Sequence, residues 1–328
     1  MQSLWTRAKA YFARLFRAEP TPGRFESGST FALTGFVSTA PLMWPSREYL
    51  VYIPRGRSRW KRAPLLVLCH GCKQTPEEFA QGTRITELAD RTGCVVLLPR
   101  QKKTANAWYC WNWFESRTAA GHGETAIVAA QIRHVIRRYR IDRKRVAVAG
   151  MSAGGALAAA LGVRYPRLVS SVAVHSGLAC GAAYSSLTAI PVMQQGPETD
   201  VAAIGVAARA AAGSTGMRVP LLAIHGDGDR VVAPRHAEAL VRQYLALNGV
   251  ATAADLPPPD AESHNTLPGG RVETVREWRR DGHLVARLVT VSQLGHAWSG
   301  GDAALAYNDA AAPDATSLMA NFLGDGLS

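Results

Sequence analysis

Cysteine is scarce in this chain, and its low count limits the structural roles open to it. Five cysteines in 328 residues are too few for the disulfide framework that holds small secreted domains together. Cys69 and Cys72 have the C-x-x-C spacing of a zinc site, but no second pair of cysteines or histidines completes such a site. The odd number leaves at least one thiol unpaired. The sequence therefore implies no metal and no organic cofactor.

Long uninterrupted apolar runs are also missing near the N-terminus. Apolar residues recur there at helical spacing, but charges interrupt every run, which excludes a secretory signal peptide or a membrane span. Residues 1–19 are predicted to form a basic amphipathic helix that contacts an anionic membrane or an apolar granule, or else packs on its own domain. Pro20, Pro22 and Gly23 begin a linker and lead-in over 20–46. The missing signal favours a cytoplasmic location.

Acidic residues are in the minority. The chain has 37 Lys and Arg against 25 Asp and Glu, a net charge of +12. Such an excess suits acidic substrates, anionic membranes or nucleic acid as partners, but the preferred interpretation is an arginine-rich composition that no partner requires. No nucleic-acid-binding motif accompanies the charge, so no nucleic-acid partner is expected.

Patterns typical of strands and helices alternate after residue 28. Continuous apolar runs, typical of strands covered on both faces, lie at 64–70, 94–99, 145–150, 171–177 and 219–226, with an alternating strand at 47–54 and a last strand at 283–291. Helix patterns lie at 75–93, 123–139, 153–165, 234–249 and 313–323. We expect 182–213 to form helical cover over the site and 250–272 to be an exposed loop. The alternation predicts an α/β fold over 47–325, with a mostly parallel sheet flanked by helices on both faces.

One serine stands at a corner of this pattern. Gly150-Met-Ser152-Ala-Gly154 lies between a predicted strand and a predicted helix. In that context G-x-S-x-G is the pattern of a nucleophile elbow, a turn so sharp that flanking glycines avoid a steric clash. The serine oxygen projects at the carboxyl end of the sheet, and the N–H of Ala153 points to the same place from the helix N-terminus. Ser152 is the predicted nucleophile; the alternative is a structural turn.

A nucleophilic serine needs a base, and the base needs a carboxylate that orients it. In this architecture the acid and then the base follow the serine, on loops after later strands. Asp227 and Asp229 both follow the strand at 219–226, and the residues alone leave the choice between them open. Only His296 comes after these acids and lies in a loop on the expected catalytic edge, so it is the predicted base.

An oxyanion formed at this serine needs a second N–H donor beside that of Ala153. The early strand-to-helix loop supplies that donor in folds of this kind. Here the loop follows the strand at 64–70, and the backbone N–H of Cys72 is the predicted donor.

Six short segments together resemble a known family. In chain order they are LCHGCKQT, CWNWF, GMSAGG, HSGL, HGDGDRVV and LGHAWSGG. They are similar to the esterase family of poly(3-hydroxybutyrate) depolymerases, which includes feruloyl and acetylxylan esterases, and the similarity covers about 45–325. The resemblance implies the α/β-hydrolase fold, selects Asp229 over Asp227 as the acid, and supports Ser152, His296 and the Cys72 and Ala153 donors. It also implies a disulfide between Cys72 and Cys110.

The resemblance further implies a carboxylic ester as the substrate. Hydroxyalkanoate polymer or oligomers are the expected esters, with feruloyl or acetylxylan esters as the alternative, and a serine peptidase less favoured. Trp113 and Trp298 are predicted to contact a hydrophobic or aromatic acyl group, with packing in the core as the alternative for each. With no secretory signal and no polymer-binding module in the sequence, soluble oligomers and small esters are as plausible as insoluble polymer. A non-enzyme alternative is a surface-binding protein that uses the basic helix at 1–19.

Overall fold

The computed structural model describes residues 22–31, 46–58, 60–213, 218–250 and 256–327. The amphipathic helix predicted at 1–19 lies outside these ranges. Within them, no helix combines the length and hydropathy needed to cross a membrane.

Twelve strands are found in the described ranges. They are β1 (Arg24–Phe31), β2 (Ser46–Ile53), β3 (Ala63–Cys69), β4 (Val95–Pro99), β5 (Ile141–Met151), β6 (Ser171–His175), β7 (Leu221–Gly226), β8 (Ala261–Thr266), β9 (Val272–Arg280), β10 (His283–Val291), β11 (Trp298–Ser299) and β12 (Asn308–Asp309). The first ten form one sheet in the order β1-β2-β4-β3-β5-β6-β7-β10-β9-β8, and β11 pairs with β12 separately.

Six central strands of the large sheet are parallel, and both of its ends are antiparallel. Strands β4, β3, β5, β6, β7 and β10 run in one direction, whereas β2 and β9 run against their central neighbours. The carboxyl ends of the parallel strands therefore meet at one edge of the sheet. Their amino ends meet at the opposite edge.

The described helices number nine. They are α1 (Pro76–Gly82), α2 (Ile85–Thr92), α3 (Ser116–Ala119), α4 (Gly123–Arg138), α5 (Ala153–Arg164), α6 (Ser186–Gln195), α7 (Val201–Ala211), α8 (Arg235–Asn248) and α9 (Ala315–Leu327). They cover both faces of the sheet, which is why strands such as β3 and β4 are buried along their whole length.

Alternate residues of β3 show how each face is covered. Leu65 and Val67 belong to a hydrophobic core that includes residues of α4, α5 and α8. Leu66 and Leu68 belong to a second core on the other face, with residues of α1, α2 and α9. Successive side chains of a strand point to opposite faces, so one continuous apolar run supplies both cores. The predicted layer arrangement is confirmed.

The single helix predicted at 75–93 is wrong, because the structure has two helices there. The start signal is correct: the Thr75 side chain accepts a hydrogen bond from the Glu78 N–H, and Glu78 accepts one from the Thr75 N–H. The break follows from tertiary contacts. The N–H of Asp302 and the hydroxyl of Thr316 donate to the carbonyls of Gly82 and Thr83, which a continuous helix would have used internally.

The exposed loop predicted at 250–272 is also corrected. Part of it forms β8, which pairs with β9 as an antiparallel hairpin, and residues 251–255 lie outside the described ranges. The prediction failed because β8 is exposed along its whole length and mostly polar, so that no apolar alternation marks it, and β9 beside it also has charged residues. Glu277 in β9 pairs with Arg279 and Arg287, so ion pairs replace part of the expected apolar contacts. The strand at 283–291 is likewise not the last, since β11 and β12 follow it.

A strand also lies within the segment predicted as linker and lead-in. Strand β1 pairs with β2 along its whole length and forms one end of the sheet. Similarly, the region expected as helical cover contains two separate helices, α6 and α7. Of these, α6 supplies Met193 to the cavity described below.

Candidate active site

Ser152 lies at the corner between β5 and α5, at the carboxyl edge of the parallel strands. Its backbone has φ +55° and ψ −123°, a conformation that a residue with a side chain rarely adopts. The Ser152 N–H donates to the carbonyl of His175 at 3.0 Å, which ties the corner to β6. The strain therefore persists because the neighbouring strands hold the turn on both sides.

Two glycines make this corner sterically feasible. A Cβ at Gly150 would lie 2.4 Å from the carbonyl oxygen of Gly154. A Cβ at Gly154 would lie 2.2 Å from the carbonyl oxygen of Cys69 in β3. Both distances are far below van der Waals contact, so the close approach of helix α5 to β3 and β5 requires residues without a Cβ. This is the physical basis of the G-x-S-x-G pattern.

The structure brings His296 and Asp229 together. The Nδ1 of His296 lies 2.8 Å from Asp229 Oδ2. The other carboxylate oxygen, Oδ1, accepts hydrogen bonds from the backbone N–H groups of Val231 and Val232, each at 2.9 Å. Asp229 is therefore fixed by its own loop, and it orients the imidazole through Nδ1.

A second histidine supports Asp229 from the side. The Nε2 of His225 lies 2.9 Å from the Val232 carbonyl and 3.5 Å from Asp229 Oδ2. Burial alone raises the pKa of Asp229, but hydrogen bonds from His225 and His296 outweigh burial and hold that pKa well below its ordinary value. The carboxyl is therefore ionised wherever the protein is folded near neutral pH.

Asp227, the other acid that the sequence left open, has a different environment. It is exposed, and its Oδ1 accepts a hydrogen bond from the Gln293 N–H at 2.7 Å. Asp227 thus fixes the backbone of the loop that leads to His296. In the described ranges it makes no hydrogen bond to the imidazole of His296.

The loop after β3 lies against the nucleophile. A Cβ at Gly71 would lie 3.6 Å from the Cβ of Ser152. The Gly71 N–H donates to Gln74 Oε1 at 2.9 Å, and its carbonyl accepts from the Nδ1 of His70 at 2.8 Å. Burial lowers the pKa of His70 to about 4, so it stays neutral and holds this loop. Cys72 and Ala153, the predicted oxyanion donors, both line the cavity next to Ser152.

A disulfide joins Cys72 in this loop to Cys110, 38 residues later in the sequence. The loop that contains Cys110 is held in place by Glu124, which is buried and only 4% exposed. Its carboxylate accepts hydrogen bonds from Gln101 Nε2 at 2.5 Å, the Asn112 N–H at 2.6 Å and Asn112 Nδ2 at 3.1 Å. No sequence signal indicated this role, because an acid in the first turn of a helix is also typical of an exposed position.

Ser152 and His296 line one cavity of about 280 Å³. Five further lining residues are large side chains that the sequence did not single out: Met151, Leu178, Met193, Val231 and Tyr307. Trp113 also lies in the cavity wall. In the described ranges, no group of three or more His, Cys, Asp or Glu side chains is arranged to hold a metal ion.

The prediction for Trp298 is corrected. This residue is 1% exposed, its indole N–H donates to Thr316 Oγ1 at 3.1 Å, and its ring stacks on His175 with centroids 5.1 Å apart. The indole is therefore packed and hydrogen-bonded inside the protein. Trp298 supports the buried histidines behind the site and is not part of the cavity wall.

Thiol counting tests the disulfide. The other three cysteines, Cys69, Cys94 and Cys180, are buried, and burial raises the pKa of each thiol. We expect three reactive thiols in the denatured, unreduced protein and five after reduction. Because the bond closes a loop of 38 residues, replacing both Cys72 and Cys110 with serine should lower the free energy of unfolding by up to about 4 kcal/mol. Five thiols before reduction would contradict the pairing.

Relatives of this chain in sequence include polyester depolymerases, feruloyl esterases and acetylxylan esterases. Residues 47–257 match the family model described as esterase PHB depolymerase. The poly(3-hydroxyalkanoate) depolymerase C of Paucimonas lemoignei is 28% identical over 74% of this chain and 58% of its own length. The feruloyl esterase B of Thermothelomyces thermophilus is 28% identical over 62% of this chain and 71% of its own. The chain thus spans little more than half of the depolymerase that it matches.

A solved structure supports the fold. The acetyl xylan esterase from Aspergillus awamori superposes with a TM-score of 0.66 over 83% of this chain and 94% of its own, at 19% identity. At that identity the likeness shows the fold, which is the α/β-hydrolase fold. Because the family model covers more than half of the chain, this protein belongs to the esterase PHB depolymerase family.

Proposed function

We propose that this chain is a carboxylic ester hydrolase with Ser152 as nucleophile, His296 as base and Asp229 as orienting acid. One observation carries the proposal. The strained corner that presents Ser152 opens into the same cavity as His296, whose other ring nitrogen is held by Asp229. Ser152 and His296 thus line one apolar cavity, and Asp229 contacts His296 on its other ring nitrogen, which is the arrangement that acyl transfer needs.

The first step forms an acyl-enzyme. With Nδ1 engaged by Asp229, the Nε2 of His296 accepts the Ser152 proton as the hydroxyl oxygen bonds to the ester carbonyl carbon. The oxyanion receives hydrogen bonds from the N–H groups of Cys72 and Ala153, and loss of one such donor typically costs about 3–4 kcal/mol of barrier. His296 then gives its proton to the leaving alcohol as the carbon–oxygen bond breaks.

The second step releases the acid. His296 removes a proton from water as the water oxygen attacks the acyl carbon, and the Ser152 oxygen leaves with the proton that His296 returns. Asp229 keeps its charge throughout and stabilises the imidazolium that forms in both steps. This chemistry needs no metal and no organic cofactor.

The cavity favours a short apolar acyl group. Its volume of about 280 Å³ is at the small end for ligand pockets, and its walls include Trp113, Leu178 and Met193. A hydroxybutyrate unit with part of its neighbour fits such a space. We therefore propose oligomeric or polymeric hydroxyalkanoate esters as the substrate, in keeping with the name of the Paucimonas lemoignei relative. Feruloyl and acetylxylan esters are the alternative, in keeping with the other relatives.

Turnover of a substrate panel tests the proposal. The panel contains hydroxybutyrate oligomers, amorphous poly(3-hydroxybutyrate), methyl ferulate and acetylated xylan. We expect the highest kcat/KM for the oligomers, because a short flexible acyl chain fills the apolar cavity and each buried methylene contributes about 0.8 kcal/mol. If only methyl ferulate or acetylated xylan is hydrolysed, the proposed hydroxyalkanoate substrate is wrong and the alternative class of esters takes its place. No turnover of any ester would overturn the activity itself.

A further inference from the structure

The edge of the sheet opposite the active site is unusually basic. Ser152, Asp229 and His296 follow the carboxyl ends of β5, β7 and β10. At the amino ends of the parallel strands lie six exposed cationic residues, which we call the arginine edge: Arg62, Arg137, Arg140, Arg143, Lys144 and Arg218. Since parallel strands separate their two ends, these charges lie away from the proposed catalytic cavity.

Helix capping explains other arginines at this edge, but not these six. Arg164, Arg167 and Arg209 donate to the carbonyls of Ala119, Ala212 and Leu247, which lie at or just beyond helix C-termini. These three arginines therefore have an internal structural role.

The six residues of the arginine edge have no such role in the described ranges. Their side chains make no ion pair and no hydrogen bond with the rest of the described chain. Two acids lie beside them, and both are engaged already: Asp142 accepts from the Lys144 backbone N–H, and Asp281 pairs with Arg280. Net positive charge at this edge is therefore left for a partner.

The charges line two adjoining concavities. Arg62, Arg137, Arg140 and Arg143 line one of about 210 Å³. Arg143, Lys144 and Arg218 line the next, of about 510 Å³, so Arg143 joins the two. Five of the six side chains are arginines, whose planar fork binds phosphate oxygens through two parallel hydrogen bonds. The surface thus suits a ligand that offers several phosphate groups side by side.

The N-terminal segment enters the domain at this same edge. Strand β2 runs antiparallel to β4, so the end of β2 lies beside the start of β4, where Tyr52 pairs with Val96. Arg24, the first residue of β1, pairs with Ile53 at this same end of β2. The chain before Arg24 therefore leaves from the arginine edge. The sequence of residues 1–19 predicts a basic amphipathic helix, whose apolar side suits a membrane surface. The two concavities themselves are lined by no aromatic ring of the described residues.

We propose that the arginine edge binds an anionic phospholipid bilayer, so that the active-site cavity faces the aqueous side. An anionic bilayer offers phosphate groups side by side to the arginines, and it would also accept the apolar side of the helix that the sequence predicts at 1–19. A nucleic acid would use the charge alone, and no aromatic side chain of the concavities is available to stack a base. This inference concerns where the enzyme docks and is independent of which ester it hydrolyses.

Vesicle sedimentation with the full chain tests the proposal. Vesicles of phosphatidylcholine are compared with vesicles of equal parts phosphatidylcholine and phosphatidylserine. We expect binding to the second kind only, with loss at about 1 M salt, where surface charges are screened. The triple variant Arg137→Gln, Arg143→Gln, Arg218→Gln should partition about 100-fold more weakly, since each basic residue near an anionic surface contributes roughly fivefold.

The matched control removes three cations from the opposite edge. Lys102→Gln, Lys103→Gln and Arg230→Gln together change the net charge equally, and these residues follow β4 and β7; partitioning should change by less than about fivefold. The single variants Arg62→Gln and Lys144→Gln, about fivefold each, repeat the test without a triple change. Hydrolysis of p-nitrophenyl butyrate by the arginine variants should equal that of the wild type.

Three results would overturn the proposal. The first is equal loss of binding in the two triple variants, which would make net charge the cause. The second is binding unchanged in the arginine variant, which would assign it to residues 1–19 alone. The third is binding of a single-stranded oligonucleotide or inorganic polyphosphate that anionic vesicles cannot displace.

Discussion

Replacing Ser152 with alanine should lower kcat for p-nitrophenyl butyrate by at least about 10⁴-fold, because the proposed mechanism forms the acyl-enzyme on the Ser152 oxygen. The fold should not suffer. Ser152 is 9% exposed and its side chain leaves the backbone turn unchanged when truncated, so the melting temperature should match that of the wild type within about a degree. Steady-state kinetics and thermal unfolding of the purified variant provide the two measurements.

A glycine at the same position gives a second, independent measurement. Ser152→Gly also lacks the nucleophile, but glycine adopts φ +55° without strain. Relief of that strain is worth about 1–3 kcal/mol, against roughly 0.5–1 kcal/mol for the greater entropy of glycine in the unfolded state. We expect Ser152→Gly to be the more stable of the two inactive variants. Substantial hydrolysis by either variant would show that Ser152 is not the nucleophile.

Replacing Asp229 with asparagine should lower kcat by about 10³–10⁴-fold with little change in KM. The amide of the introduced asparagine would donate to the Nδ1 of His296 and leave the proton on Nε2, so the imidazole could no longer accept the Ser152 proton. The variant therefore tests the tautomer that Asp229 imposes, since the size of the side chain is nearly unchanged. Kinetics with p-nitrophenyl butyrate measure the effect.

Asp227→Asn is the matched control. It removes the same charge two residues away, but Asp227 contacts the Gln293 N–H and is exposed. We expect a change in kcat of less than about tenfold, arising from slight movement of the loop before His296. A large loss in Asp227→Asn together with near-normal activity in Asp229→Asn would assign the acid to Asp227.

The pH dependence follows from the same carboxylate. The folded-state pKa of Asp229 is depressed, so its stabilising contribution is fully present above the ordinary pKa of about 4 and is lost only as pH falls through the lower folded value. Loss of activity between about pH 7 and pH 4 should therefore not arise from protonation of Asp229. The Asp229→Asn variant should lose this contribution to stability at neutral pH, which denaturant unfolding measures.

Local patterns were sufficient for much of the fold. The buried strands β3, β4, β6 and β7 and the second half of β5 are continuous apolar runs, and a strand covered on both faces needs no other signal. The corner at Ser152 was also visible, because only glycine fits where α5 passes the carbonyl of Cys69. These features depend on neighbours in sequence or on the simple rule that apolar residues are buried.

Other features depend on contacts between distant residues. Helices α1 and α2 separate because Asp302 and Thr316 take the carbonyls of Gly82 and Thr83, more than two hundred residues away in the chain. The hairpin of β8 and β9 was hidden because β8 is exposed and mostly polar, and because Glu277 of β9 pairs with Arg287 of β10 where an apolar contact was expected. No local pattern records such partners.

The parallel sheet, the serine at its corner, and the order of serine, acid and histidine along the chain could all be read from the residues alone. The choice between two tryptophans could not, because Trp113 and Trp298 are equally apolar and differ only in the neighbours that the fold gives them. Folding also creates the support of the site by His225 and Glu124, and it gathers basic residues from separate segments at one edge. Hydrophobic periodicity is a property of a segment, whereas hydrogen bonds, cavities and charged surfaces are made by segments that the fold brings together.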